Sequence, residues 1–185
     1  MTEQTLVQAP NKTTPVDSQF RMGVLMYFRD ESGRLLLIQR KRRPNRGMWC
    51  AVGGKLVMPS GESPHECAVR ETFEEVGLEI ADSAFDLRCI LSEKDYEETG
   101  HWLMFVFAVS VRLKQLPEAI DEGEFGFFEM GELDELDIPE LDKRILREHV
   151  LNEGRSGVVS LRVNEGGGRD AEKLVVEESY LGQAT

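Results

Sequence analysis

The sequence predicts an α+β fold, a mixed β-sheet carrying helices on its faces. Three observations lead there. Short apolar or alternating segments recur along the chain, two amphipathic helical segments lie among them, and strand signals precede, separate and follow those helices. With 185 residues, 41% of them hydrophobic and 30% charged, the chain suffices for one well-packed core and is cramped for two.

Residues 1–19 are polar, contain two prolines and read as a flexible lead-in. They hold no basic stretch followed by an apolar one, so a signal peptide is not expected. RMGVLMYFRD (21–30) reads as a strand and ESG as its turn; RLLLIQR (34–40) is a short apolar run of the buried-strand kind. RKRRPNRG (40–47) is a loop punctuated by Pro44 and Gly47. A helix is expected over 64–76: Ser63 suits the N-cap, Pro64 the first turn, Glu66 completes a capping box, and Gly77 supplies the stop. Its apolar positions are Val69, Phe73 and Val76, which with Thr72 are expected to face the core.

LRCILSEKDY (87–96) and HWLMFVFAVSVRL (101–113) read as strands around a polar turn, and EFGFFEM (124–130) as another. IPELDKRILREHVL (138–151) is a second amphipathic helix. SGVVSLRV (156–163) and EKLVVEE (172–178), around the loop NEGGGRD, form a hairpin. A single domain over 20–180, with that hairpin at 156–178, accounts for the whole pattern.

The formal net charge of −12 repels phosphate polymers and anionic membranes. Neither nucleic acid nor membrane is therefore expected as a partner, and a phosphate-bearing ligand must be met by local cations or a metal ion. Cys50, Cys67 and Cys89 follow neither a disulfide nor a zinc spacing, and His65, His101 and His149 show no metal spacing. No apolar run approaches the roughly 18 residues of a membrane span. A cytoplasmic protein with reduced thiols is the expectation.

The helix at 64–76 carries the chemistry. At about 100° per residue, Glu75 lies about 40° from Glu71 and Glu74 about 60° from it on the other side. Three carboxylates on one face repel each other, and two of them sit in the last turn, where the helix dipole disfavours negative charge. A hard divalent cation would offset both penalties, because such ions take carboxylate and phosphate oxygens. A solvated acidic face is the alternative for the helix alone.

The neighbouring residues narrow the choice. Gly53-Gly54-Lys55, Gly61-Glu62 and then Arg70-Glu71-Thr72-Phe73-Glu74-Glu75-Val76-Gly77-Leu78 resemble the Nudix box, G-x5-E-x7-R-E-U-x-E-E-x-G-U with U apolar, and Trp49 resembles its lead-in. Two features depart from it: seven residues rather than five separate Gly54 from Glu62, and Thr72 takes an apolar slot. The resemblance implies the Nudix α/β/α sandwich with the box as a loop–helix–loop. It implies that Glu71, Glu74 and Glu75, with Gly54, bind Mg²⁺ or Mn²⁺, that Arg70 and Glu62 brace the glutamates, and that Glu71 is a candidate base. A further acid from a later loop often joins such sites, which points to Glu122 or Glu124.

Arg40, Lys41, Arg42, Arg43 and Arg46 put five cations within seven residues of an acidic chain. Phosphate capture is one reading, with Arg40 and Lys55 foremost, and a solvated loop is the other. The order of elements looks like MutT-type nucleoside triphosphate diphosphatases, in which an acid of the segment matching PELD reads the purine edge; here that is Asp142, with Glu140 beside it. Cys50 stands where those proteins carry an amide after the Trp. Trp49, Phe28 or Trp102 could stack on a base.

The activity that the resemblance implies is hydrolysis of a diphosphate bond, first of a (deoxy)nucleoside triphosphate, an oxidised purine nucleotide included, to monophosphate and pyrophosphate. ADP-ribose, a dinucleoside polyphosphate or a nucleotide sugar are alternatives, as is a nucleotide-sensing module without turnover. The partner expected is a small nucleotide, and a homodimer is compatible with the sequence.

Overall fold

Alternation along the first two strands sets the layering. The computed structural model describes residues 20–94, 96–151, 157–163 and 174–181. β1 (Arg21–Asp30) sends Val24, Met26 and Phe28 to one side and Tyr27, with Leu25, to the other. β2 (Leu35–Arg40) divides Leu36 and Ile38 from Leu35 and Leu37 in the same way. The first side is covered by α1 (Pro64–Glu71) through Cys67 and Ala68. The second is covered by α2 (Glu140–Ile145) through Leu141 and Ile145, with Leu146 and Val150 continuing the contact. The sheet therefore lies between helices, the expected α/β/α sandwich.

The remaining strands are β3 (Trp49–Cys50), β4 (Phe85–Glu93), β5 (Trp102–Leu113), β6 (Gly123–Phe128), β7 (Gly157–Val163) and β8 (Leu174–Leu181). Their order is β3-β2-β1-β5-β4-β7-β8, with β6 on β2; β1–β5 and β4–β7 are parallel and the other pairs antiparallel. β1 and β2 pair only at Arg29–Leu35. The gap between them is filled by the chain after β3: Met26 N–H donates to Val52 O (2.7 Å) and Val24 N–H to Gly54 O (2.9 Å). Gly53 needs to be glycine here, since a Cβ would lie 2.0 Å from Val24 O. This clamp fixes the glycine segment at the sheet.

The capping box at α1 is complete: Ser63 Oγ accepts from Glu66 N–H at 3.2 Å and Glu66 Oε2 from Ser63 N–H at 2.8 Å. The single helix expected over 64–76 is α-helical only to Glu71, and Thr72–Val76 form a π-helical turn before Gly77 (φ 75°) ends it. The second helix behaves likewise, with a π turn at Leu146–Val150 after α2. Phe73 does not face the core but is 56% exposed. The buried arc holds Cys67, Ala68, Thr72 and Glu75, so it overlaps the acidic face instead of opposing it. Thr72 is fully buried, its hydroxyl donating to Ala68 O at 2.7 Å.

The strand expected over 87–96 stops at Glu93, and β8 runs on to Leu181, past the end expected for the hairpin. The lead-in 1–19 and the loop 164–170 lie outside the described residues. Among those described, no helix is long and apolar enough to cross a membrane.

Candidate active site

A cleft of about 350 Å³ opens where the glycine segment meets α1, β4 and α2. Its first wall is acidic. Glu71 reaches it over Gly54, at which a Cβ would lie 1.9 Å from Glu71 Oε1. Glu75 is 9% exposed, and its Oε2 accepts from Gly53 N–H at 3.2 Å. Burial, with the charges of Glu71 and Glu122, pushes the Glu75 carboxyl up to about 8, although Gly53 N–H and Arg40 act against the rise. Burial also raises Glu71, against the pull of Arg70. Glu122 lines the same cleft.

Arg70 braces this wall from behind. Its Nε and Nη2 grip Glu62 (2.7 and 3.0 Å), Nη1 holds Glu71 (2.7 Å) and Glu74 (3.0 Å), and Nη2 also reaches Lys55 O (3.1 Å). The Arg70 hydrogen bonds hold the Glu62 carboxyl below its usual range. Charge-assisted, two-pronged bonds of this kind fix geometry as well as energy.

Glu74 is bridged to Glu71 through Arg70 Nη1, but it is 54% exposed and lies outside the lining of the cleft. The π turn is the reason. Three α-helical steps of about 100° fall about 60° short of a full circle, and the smaller π steps fall further short, turning Glu74 away. Four α-helical steps overshoot by about 40°, and smaller ones bring Glu75 back into line with Glu71. Among the described residues no three His, Cys, Asp or Glu side chains form a ready-made cage. The donor set nevertheless suits a hard cation: carboxylate oxygens only, desolvated and mutually repelling, leaving the remaining positions to substrate oxygens.

The second wall is polar and deep. Asp142, from the first turn of α2, lines it, and burial lifts its carboxyl to about 7. Beside it stand Cys50, Asn45, Tyr96 and Glu93. The Tyr96 hydroxyl donates to Asn45 Oδ1, which ties the 40–47 loop to the turn after β4. Burial raises the Cys50 thiol well above its ordinary value, so it is no thiolate.

Cations border the cleft. Arg40, Arg42, Arg43 and Lys55 line it, and Arg40 Nε donates to Pro44 O at 2.8 Å. Lys55 Nζ sits 5.6 Å above the Trp102 ring, itself part of the lining. Of the three aromatic candidates only Trp102 reaches the cleft. Phe28 is buried in the core, and Trp49 packs edge-on to Phe128 with centroids 4.6 Å apart. Trp49 belongs to β3, where its β2 partner Gln39 and the nearby Phe128 direct it away. Glu124 is also outside: it is 65% exposed and paired with Lys41 at 3.3 Å.

Glu93 and Asn45 escaped the sequence reading. Glu93 carried a signal, since the pleat that buries Cys89 and Leu91 also buries position 93. Asn45 adopts φ 61°, a left-handed turn position that asparagine tolerates.

The chain has relatives among known proteins. The chain is 32% identical over 107 residues to a Methanocaldococcus jannaschii protein named ADP-ribose pyrophosphatase, covering 58% of this chain and 61% of that one, less than two thirds of the relative's length. It is 30% identical over 115 residues to the uncharacterized Nudix hydrolase YvcI of Bacillus subtilis, covering 61% and 69%. In fold it is similar to a MutT protein from Bacillus halodurans (TM-score 0.62, 24% identity, 90% of this chain and 100% of that one). A MutT protein from Methanosarcina mazei Go1 is also similar (TM-score 0.60, 21% identity, 72% and 94%). The NUDIX domain family is matched over residues 19–151, which include the glycine segment, α1 and α2, and the chain belongs to that family.

Proposed function

We propose that this chain is a metal-dependent pyrophosphohydrolase acting on nucleoside diphosphate-X compounds, first on (deoxy)nucleoside triphosphates, which it splits into monophosphate and pyrophosphate. One observation carries the reading: a single cleft joins a wall of buried carboxylates, a border of cations and a deep polar wall. Its volume of about 350 Å³ is of the size that small-molecule sites have. Glu71 and Glu75, with Glu122, would hold Mg²⁺ or Mn²⁺, which when bound supplies Lewis-acid polarisation of phosphoryl oxygens. Arg40, Arg42, Arg43 and Lys55 neutralise the phosphates, Arg70 keeps Glu71 oriented, and Glu71 accepts the proton of the attacking water. Asp142 faces the base. Residues 20–180 act as one domain, supported by the pairing of β7 with β4 in the common sheet. The three buried free cysteines fit a reducing, cytoplasmic setting.

The name of the Methanocaldococcus jannaschii relative favours a second reading, in which the substrate is ADP-ribose. A product assay with Mg²⁺ distinguishes the two. The panel holds dNTPs, ADP-ribose, diadenosine polyphosphates and nucleotide sugars, with Glu71→Gln and Glu75→Gln as controls. Pyrophosphate from a triphosphate, lost in both variants, supports the first reading. AMP and ribose phosphate from ADP-ribose, with triphosphates untouched, supports the second. Binding without turnover of any compound would overturn both in favour of a nucleotide sensor.

A further inference from the structure

The loop between β2 and β3 carries its cations over the cleft on one buried residue. Its ends are pinned by the backbone: Gly47 N–H donates to Arg40 O (2.7 Å), Arg40 N–H to Met48 O (3.0 Å) and Lys41 N–H to Glu122 O (2.8 Å). Lys41 is paired with Glu124. Among the described residues no carboxylate pairs with Arg42 or Arg43, whose exposed side chains line the cleft. Of residues 41–47 only Asn45 is buried. All its polar groups are engaged: Oδ1 accepts from the Tyr96 hydroxyl, and the side-chain amide bonds the Cys50 sulfur. Its N–H donates to Glu97 (3.3 Å), and its C=O accepts from Met48 N–H (3.0 Å). Tyr96 is buried and fixed by its own turn. Its N–H donates to Gly100 O (3.1 Å), and Thr99 Oγ1 donates to Tyr96 O (2.6 Å) while accepting from Trp102 Nε1 (2.8 Å). Trp102 carries Lys55, so one chain of contacts joins the arginine loop to Lys55.

Resting on the phosphate-binding reading above, we propose that Tyr96 is a positioning residue: through Asn45 it holds Arg42 and Arg43 over the cleft, where they meet the phosphate tail of the substrate. The argument is one of repulsion and entropy. Two unpaired guanidinium groups on neighbouring residues repel each other, and on a free loop they would spread into solvent. Fixing the backbone at Asn45 moves that cost into folding, before any ligand arrives, and preorganised groups bind more tightly for that reason. Asn45 suits the place because its φ of 61° is a left-handed conformation that asparagine tolerates, and its short amide both donates and accepts. The net charge of −12 makes fixed cations matter more, since the general field repels the tail that they must capture.

The test uses the full chain with Mg²⁺. Tyr96→Phe removes only the hydroxyl, and Asn45→Gly keeps the left-handed backbone while removing the acceptor. Hydrolysis of dNTPs is measured, and binding of inorganic triphosphate is titrated by calorimetry. Each variant should raise KM for dNTPs and weaken triphosphate binding by about tenfold, the scale of one lost buried hydrogen bond, with kcat changed less than about threefold. A loss of fold would depress kcat and leave KM intact, so the split reads positioning. In an Arg42→Gln/Arg43→Gln background, Tyr96→Phe should add less than about twofold, since its effect runs through those side chains. The full rise in KM in that background would overturn the proposal. So would unchanged KM and triphosphate affinity in folded Tyr96→Phe and Asn45→Gly, or a native protein that binds no inorganic triphosphate. Weakened triphosphate binding in Tyr96→Phe, when the native protein turns over no dNTP, would sink the hydrolysis reading and leave Tyr96 standing.

Discussion

A methyl group on Gly54 would lie 1.9 Å from Oε1 of Glu71. The glycine segment and the first glutamate of the cleft are therefore packed to contact, and the absence of a side chain at 54 is what lets Glu71 enter. Gly54→Ala should displace the Glu71 carboxylate, because the flexible side-chain end yields before the clamped backbone does. Activity measured by pyrophosphate release should fall about 100-fold, the scale of a misplaced catalytic group. Thermal unfolding should shift by no more than about 1–3 kcal/mol, as for a mild overpacking. Unaltered kinetics would refute the steric role.

Arg70 touches Glu62, Glu71, Glu74 and the Lys55 carbonyl at once. A lysine has one ammonium on a shorter reach and cannot grip Glu62 in two places while holding Glu71. Arg70→Lys should keep the fold but lose about 10–100-fold in kcat/KM, the usual cost of a lost orienting partner in a metal site. The same variant should be destabilised by about 1–3 kcal/mol. Equal activity of Arg70→Lys and the native protein would show that charge alone matters there.

The reach of sequence reasoning is visible residue by residue. The start of α1 was legible because Ser63, Pro64 and Glu66 act on neighbours within one turn. The two-sided sheet was legible because burial follows the alternation of β1 and β2. The π turn was not, since a 100° template has no means of registering a widened turn, and with it went the placement of Phe73 and Glu74. The direction of Trp49 was not legible, because β3 has two residues, too few for a period to reveal a face. Glu93 could have been found: extending the buried alternation of β4 by one step lands on it. Asp142 needed the family resemblance, because an acid in a first helical turn also serves the dipole.

Thr72 occupies an apolar slot of the helix yet leaves no bond unmade, as its hydroxyl donates to Ala68 O. The same carbonyl accepts the backbone N–H of Thr72, so removing the hydroxyl leaves it satisfied. Thr72→Val should therefore change stability by about 1 kcal/mol or less and leave turnover intact. Denaturant melts compared at equal m-value would check this. A loss of several kcal/mol would mean that the hydroxyl, not the methyl, holds the π turn.

Several carboxyls of this protein titrate in opposite senses. Glu93 and Asp142 are raised from 4.5 and 3.8 to about 8 and about 7, chiefly by burial. In that range the folded chain binds more protons than the unfolded one, so the stability they confer is full below the unfolded values and is lost as the pH rises through the folded ones. Glu75 acts in the same sense, also raised to about 8 by burial. Glu62, held down by Arg70, acts oppositely, its contribution being lost as the pH falls through its lowered value. The metal-free protein should thus be most stable in mildly acidic solution and melt at progressively lower temperature between pH 6 and about 9. Glu93→Gln removes one of the raised groups without changing side-chain shape. It should flatten that decline and melt a few degrees above the native protein at the alkaline end, where an ionised Glu93 is most costly. A variant whose melting temperature tracks the native curve across the whole range would show that Glu93 finds a donor in solution.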